Sequence, residues 1–293
     1  MRFGIQAVSI NNVTFPGNTG WSFNPGRETE SGSLDGVQYE TMQHEVALKP
    51  TADITTRSLK AVMVAFNSST DLPMLTLDGA AGLRLVAGKA ASGLPGYASG
   101  SVHVQRTALR GLVYVSGVRW SKGGKAELSL KAMIKGNGDG LTPSVTESLV
   151  ALPAQPTTDF GFTLSSLTLS GSAIPTPDSV EISIEPNFEH EFLAGLPQPS
   201  DIVGAGAKKE LSITLKAEIG DCDLGSGSGT VVAVFTRYAN GGGFSTDTVT
   251  FTLNTNWIAE EGLGGQSGSS ASRSLLCRTR YNGITKPLTW ATA

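Results

Sequence analysis

Val180-Glu181-Ile182-Ser183-Ile184 alternates apolar and polar side chains at every step. A period of two puts the three aliphatics on one face of an extended chain and the acid and hydroxyl on the other. The segment therefore predicts a strand with one buried and one wet face. Ile184-Glu185-Pro186-Asn187-Phe188-Glu189-His190-Glu191 completes it, and an earlier stretch, Phe23-Asn24-Pro25-Gly26-Arg27-Glu28-Thr29-Glu30, has the same order 161 positions before. Both read apolar-x-Pro-x-x-Glu-x-Glu.

Working outward, the correspondence extends. Val8-Ser9-Ile10-Asn11-Asn12 parallels Leu167-Thr168-Leu169-Ser170-Gly171. Ser101-Val102-His103-Val104 lines up with Thr248-Val249-Thr250-Phe251, and Leu128-Ser129-Leu130 with Leu275-Leu276-Cys277, both at a separation of 147. Thr142-Pro143 and Thr285-Lys286-Pro287 close the two stretches. The common order predicts two copies of one β module, residues 1–150 and 161–293, joined by a linker at 151–160 around Leu152-Pro153-Ala154-Gln155-Pro156. The fall from 161 to 147 places about 14 extra residues in the first copy, between Glu30 and Gly82.

Most other segments also read as short strands bounded by Gly, Pro, Asn and Asp, so the expected class is all-β. One segment differs. Leu59, Val62, Met63 and Phe66 fall at i, i+3, i+4 and i+7, the stripe of a short helix within an insert at about 53–75, with Asp53 or Thr55 as possible caps. The run Ala61–Phe66 also fits a buried strand. A long loop is expected after each Pro-x-x-Glu-x-Glu segment, at Ser31–His44 and at Phe192–Lys208, and long loops in compact domains usually serve function.

Composition narrows the class. Charged residues make up 16% of the 293 and glycine supplies 36. That charge is too low for a disordered chain, and the glycines show no triplet period. The net charge of −3 argues against a protein that grips nucleic acid through its phosphates. It divides unevenly: residues 1–150 carry 14 basic and 11 acidic side chains, and residues 151–293 carry 8 and 14. Opposite signs on the two halves favour head-to-tail contact between copies. Cys222 and Cys277 are too few for a disulfide framework. The Met1–Gln6 segment has no apolar signal core, so the expected site of synthesis and residence is a cytoplasm or a particle assembled there.

Chemistry-bearing motifs are sparse. His44, His103 and His190 share no metal-ligand spacing, and Asp221-Cys222-Asp223 reads as a solvated turn. Asn137-Gly138-Asp139-Gly140 lacks the downstream acid of a calcium loop. Lys122-Gly123-Gly124-Lys125-Ala126 fails the phosphate-loop pattern at both ends, and Gly265-Gln266-Ser267-Gly268-Ser269 misses a nucleophile elbow at its last position. Glu28/Glu30 and Glu189/Glu191 each present two acids on one side of a strand. They have no evident acid–base partner in the sequence, and a wet strand face is the simpler reading. The expectation is a protein that is not an enzyme and carries no cofactor or metal.

A duplicated, weakly charged β module with a long loop after its second strand resembles the tail tube proteins of long-tailed bacteriophages. The likeness rests on the first strand and its Ser/Asn/Gly turn (Val8–Thr14; Leu167–Ala173) and the strand before the loop (Trp21–Phe23; Val180–Ile184). It extends to Gly123–Leu130 ahead of a Thr-Pro end. The resemblance implies a β sandwich or barrel with a flanking helix, and a structural virion protein assembled in the host cytoplasm. Its rings would stack into a tube that DNA crosses. Three duplicated chains would supply six modules to a ring, a trimer with pseudo-six-fold symmetry. Partners would be the chain itself, a tape measure protein and tail completion proteins, with DNA in transit and no membrane anchor. Glu28, Glu30, Glu189 and Glu191 would be candidates to line an acidic lumen. Leu34, Asp35, Leu196, Pro197, Pro199 and Asp201 would belong to ring-stacking loops. The second copy departs from the pattern in lacking the helix segment. A non-catalytic β-sandwich module for decoration, baseplate or receptor binding is the alternative, and a hydrolase with scattered carboxylates a third.

Overall fold

The computed structural model describes residues 3–15, 18–32, 42–66, 73–77, 79, 82–89, 103–141, 144–151, 161–174, 177–204, 212–219, 227–238, 243–264, 272–279 and 288–293. They form an all-β protein with one short helix. In chain order the first half has β1 (Phe3–Ile10), β2 (Val13–Phe15), β3 (Asn18–Asn24), β4 (Arg27–Gly32), β5 (Met42–Leu48), β6 (Thr51–Thr56), α1 (Leu59–Ala65), β7 (Met74–Leu77), β8 (Leu83–Lys89), β9 (His103–Ala108), β10 (Arg110–Ser121), β11 (Glu127–Lys135) and β12 (Val145–Val150). The second half has β13 (Phe162–Leu169), β14 (Ser172–Ala173), β15 (Pro177–Glu185), β16 (Phe188–Phe192), β17 (Pro199–Gly204), β18 (Ser212–Ile219), β19 (Gly227–Tyr238), β20 (Phe244–Gly264), β21 (Ser272–Thr279) and β22 (Leu288–Thr292).

A five-stranded sheet, β12-β9-β8-β1-β2, belongs wholly to the first half. A longer sheet runs β14-β13-β19-β20-β21-β18-β15-β10-β11-β6-β3, with β22 beside β20 and β7 beside β10. The two small hairpins β4–β5 and β16–β17 stand apart from both.

Pairing order recurs between the halves. β1 pairs with β2 and β8, as β13 pairs with β14 and β19. β3 pairs with β6 and β6 with β11, as β15 with β18 and β18 with β21. β20 covers the places of both β9 and β10: its first part pairs with β19 and β22, and Trp257–Gly264 with β21. One bulge coincides as well, Ile5/Ala7 with Leu164/Ser166, and the bulges Val115/Gly117 and Glu260/Gly262 lie two residues apart along the strand they face. Tight turns match: Asn11 and Asn12 have φ of 47° and 67°, and Ser170 and Gly171 have 48° and 85°. These left-handed pairs are the residue types a two-residue hairpin turn requires.

The registers refine the spacings read from sequence. Ile54 beside Trp21 and Leu215 beside Ile182 keep the separation of 161 through β6 and β18. The extra residues of the first half therefore lie after Thr56. At β9 and β20 the match is Val104 with Val249, two positions from the alignment at 147. At β11 and β21 the separation of 147 holds: Ile54 lies beside Leu130, and Leu215 beside Cys277.

The insert holds α1. Leu59, Val62, Met63 and Phe66 are all buried, so the helical stripe, and not a buried strand, is what this segment forms. A helix of seven residues is marginal alone. Burying four such side chains at roughly 1.5–3 kcal/mol each holds it in place. Its N-cap is Ser58, which makes no side-chain cap bond. Asp53 and Thr55, expected as caps, are residues of β6. The helix packs against β20 and β22 of the second half. Lys60 Nζ lies 2.7 Å from Asp247 Oδ1, and Arg237 reaches Asp247 Oδ2 at 2.6 Å. One continuous apolar core runs through both halves, from Val8, Ile54, Val115 and Leu130 to Val180, Phe235, Phe251 and Trp290.

Three expectations need correction. The long loop at Phe192–Lys208 contains a strand, β17, which folds back on β16. β5 likewise begins at Met42 inside the expected Ser31–His44 loop. The stretches after the Thr-Pro ends form strands, β12 and β22, so β11 and β21 are not the last of their halves.

Candidate assembly surface

Among the described residues the long sheet crosses from one half to the other at one strand pair, β10 with β15. Gly117, Val118, Arg119, Trp120 and Ser121 oppose Ser183, Ile182, Glu181, Val180 and Ser179. Alternation sends Val118, Trp120, Val180 and Ile182 into the core, at roughly 1.5–3 kcal/mol for each side chain fully buried. The other face carries the charges. Arg119 donates to Glu181 Oε1 at 2.8 Å and Lys122 pairs with Asp178 at 2.9 Å. The Glu181 carboxylate holds the Arg119 guanidinium above its ordinary pKa. Exposed pairs of this kind contribute about 0–1 kcal/mol, and their larger effect is on register, because a slip of two residues would separate them. Gly117 sits at the bulge of β10. A Cβ there would lie 2.8 Å from the carbonyl oxygen of Ile182, so only glycine admits β15 this closely.

The β16–β17 hairpin reinforces the junction by lying on the first half. Pro197 O accepts from Leu48 N at 2.8 Å, Pro199 O from Gly136 N at 2.9 Å, and Gly140 O from Gln198 N at 3.3 Å. Gln198 Oε1 accepts from both Ser144 N and Ser144 Oγ, at 3.3 and 2.9 Å. Asp201 pairs with Lys135, which lowers the Asp201 carboxyl below its ordinary range. Phe188 packs against Tyr114 with ring centroids 5.7 Å apart. Burial there, with the Asp53 charge, pushes the Tyr114 phenol up to about 12. His190 Nε2 lies 3.0 Å from Ile134 O, and burial lowers its pKa.

The candidate residues fall as follows. Glu189 and Glu191 are exposed on β16, and Glu28 is exposed on β4, 2.5 Å from Lys49 Nζ. The backbone of Glu30 pairs with His44 in the β4–β5 hairpin. All four acids thus belong to the hairpins and none to the long sheet. Leu196, Pro197, Pro199 and Asp201 meet the first half of the same chain, Leu196 against Gly140. Leu34 and Asp35 lie outside the described residues, as do Asp221–Asp223, the 265–269 segment and the 152–160 part of the expected linker.

Composition alone did not single out the polar outer face of the long sheet. Asp53, Glu127, Lys131, Arg119, Glu181 and Glu185 lie on it among Ser and Thr, with opposite charges interleaved. Arg57 pairs with Glu127 at 2.7 Å. The signal in sequence was the strict alternation of Glu181 and Ser183 with Val180, Ile182 and Ile184.

Asp139 Oδ1 accepts from Leu141 N at 2.9 Å, so Asn137–Gly140 is an Asx-type turn. A cleft of about 260 Å³ lies between the β3–β4 turn and β12, lined by Phe23, Arg27, Arg106, Glu147 and Gln198 among others. Arg106 there stacks over Phe23 and pairs with Glu147. Among the described residues no group of three His, Cys, Asp or Glu could hold a metal ion, and no helix is long and apolar enough to cross a membrane. At both ends of the eight-strand run β3-β6-β11-β10-β15-β18-β21-β20, a strand edge is left over. The outer edge of β3 and that of β20 beyond Ile258 have no strand partner among the described residues. No protein-family model and no curated protein matches this sequence.

Proposed function

We propose that this chain is a structural subunit that closes with further copies into a ring, and that stacked rings form a tube of the bacteriophage tail type through which DNA passes. The observation that carries this reading is the eight-strand run through both halves, open at both ends. A long exposed strand edge invites pairing, and closure into a barrel is the arrangement that removes it. Each half is one copy of a module, which the matching pairing orders and bulges support, so three chains supply six modules. The face carrying Asp53, Glu127, Lys131, Glu181 and Glu185 then lines the lumen. Its interleaved charges give a passing polyanion little net attraction. The tube's other contacts would be a tape measure and tail completion proteins.

Negative-stain microscopy of the purified chain, with sedimentation over a range of concentration, tests the reading. Rings or tubes of uniform diameter are the expected result. A monomer that persists at high concentration, without such particles, would overturn it.

A further inference from the structure

We propose that the β16–β17 hairpin is an acid-released latch, held on the first half by the neutral imidazole of His190 and let go when that ring takes up a proton. The device belongs to the single chain and stands apart from the ring-forming reading.

The latch starts from a gap in the β6–β11 ladder. Met133 pairs with Thr51, so the next pair outward is Ile134 with Pro50. Ile134 N donates to Pro50 O at 3.0 Å, which makes this a hydrogen-bonded pair, where each residue normally gives one N–H to the other. Proline has no N–H, so the return bond to Ile134 O cannot form. His190 Nε2, from the other half of the chain, lies 3.0 Å from that oxygen. A carbonyl only accepts, so Nε2 carries the proton, and His190 supplies the donor that Pro50 lacks.

On β16, His190 shares its side of the strand with Phe188, which packs on Tyr114, while Glu189 and Glu191 are exposed on the other side. The charged and titratable groups around it come from each element the hairpin meets. Lys49, between β5 and β6, bears on the ring and is itself paired with Glu28. Lys135 of β11 is paired with Asp201 of β17, and the Tyr114 phenol of β10 keeps its proton up to about 12. Asp139, in the turn before Leu141, accepts from Leu141 N. Burial is the largest influence on the imidazole and opposes its charged form, and Lys49 acts the same way. The carbonyls of Ile134 and Pro50 favour the charge and offset part of this, so the docked ring titrates below its ordinary value.

A released hairpin returns the ring to water and to an ordinary value of about 6.5. The released form therefore binds more protons between the two values. Docking is at full strength above about pH 6.5 and weakens as pH falls through the docked value. Asp201 adds a second step in the same direction. Its carboxyl is held low chiefly by Lys135, and docking loses that pair as the carboxyl protonates, below about pH 4.

Hydrogen exchange of the Leu48 and Gly136 amides reads the latch directly, because they donate to Pro197 O and Pro199 O of the hairpin. Ala126, just before β11 at the end far from Lys135, donates to Phe162 O across the two halves and is the control. After correction for the intrinsic rate at each pH, protection at Leu48 and Gly136 should fall several-fold from pH 7.5 to pH 5.5, while that of Ala126 holds. His190→Gln keeps an amide donor for Ile134 O and takes up no proton in this range, so its protection should be the same at both pH values. His44 and His103 remain in that variant and control for the other imidazoles. Protection in the parent that is unchanged or rises on acidification, or a His190→Gln variant that shows the parent's fall, would overturn the proposal. Should His190→Gln fail to dock at pH 7.5, NMR titration of the parent decides. The ring signal missing from the variant should titrate lower in the folded protein than in 8 M urea, and an equal or higher value would overturn the latch.

Discussion

Trp290 donates its indole N–H to the backbone carbonyl of Phe66, 3.2 Å away. Phe66 is the C-cap residue of α1, and the last carbonyls of a helix have no partner within it. A strand of the second half therefore completes a helix of the first. Trp290→Phe keeps most of the apolar packing and strands that carbonyl, at a cost of about 1–3 kcal/mol. Trp290→Ala also opens a cavity in the core, at about 3–5 kcal/mol. Urea unfolding should rank the two in that order. Equal stability of Trp290→Phe and the parent would show that the bond does not hold the helix.

Asp247 gives the same interface a pH dependence. Hydrogen bonding from Lys60 is the main cause that lowers its carboxyl, and the charge of Arg237 adds to it. A carboxyl whose pKa is lowered on folding adds stability above its unfolded value. That stability is lost as pH falls through the folded value. Asp247→Asn should cost up to about 1 kcal/mol at pH 7 and progressively less below about pH 4. Urea midpoints at pH 7 and pH 3 for the two proteins check this. An equal deficit at both pH values would mean that the charge is not what Asp247 contributes.

The local pattern was legible wherever one face of an element decides its place. Val180–Ile184 lies within β15, and Leu59, Val62, Met63 and Phe66 are the buried stripe of α1. Partners are another matter, because alternation reports a buried face and not the strand beside it. Pro197-Gln198-Pro199 looked like loop because two prolines remove donors. Yet Pro197 and Pro199 serve the first half through their carbonyls, which a proline keeps. The repeated acids read as a wet strand face, and only the resemblance made them candidates for a lumen. The Pro-x-x-Glu-x-Glu turn takes the chain off the long sheet, leaving Glu28 and Glu189 on hairpins while Glu181 stays on the sheet. Gly117 gave no signal, since its need for glycine comes from Ile182, 65 positions away.

Gly117→Ala tests that close approach. The new methyl would meet the Ile182 carbonyl at 2.8 Å, against backbone that cannot swing aside. Overpacking of this kind costs about 1–3 kcal/mol, and here it falls on the β10–β15 pair. Gly20→Ala, with open space around it, should cost far less in the isolated chain. Hydrogen exchange should show the amides of 179–183 losing protection in Gly117→Ala and keeping it in Gly20→Ala. Unchanged protection in both would remove the argument for glycine at the bulge.

Burial pushes the Cys277 thiol up to about 12, so almost no thiolate exists at neutral pH. In a Cys222→Ser background the folded protein should give no fast reaction with an aromatic disulfide reagent at pH 8. In 8 M urea one thiol per chain should appear. A fast-reacting thiol without denaturant would mean that the β18–β21 region opens readily.

Docking of the β16–β17 hairpin rests on small tolerances. Gly140 has φ of +69°, and a Cβ there would fall 2.6 Å from Cδ1 and 2.9 Å from Cβ of Leu196. Gly140→Val combines a strained backbone with a collision against the hairpin tip, and should lift the hairpin from residues 134–144. Asp201→Asn removes only the Lys135 pair, which is partly exposed, and should loosen the hairpin by no more than about 1 kcal/mol. Limited proteolysis separates the two effects. Cleavage within 193–198 should accelerate strongly in Gly140→Val and slightly in Asp201→Asn, while the urea midpoint of the core changes little. Because the hairpin covers Tyr114, its release should also bring the phenol back from about 12 toward 10, seen as an earlier rise in tyrosinate absorbance on raising pH. An unchanged cleavage rate in Gly140→Val would show that Leu196 and Gly140 are neighbours without being a support.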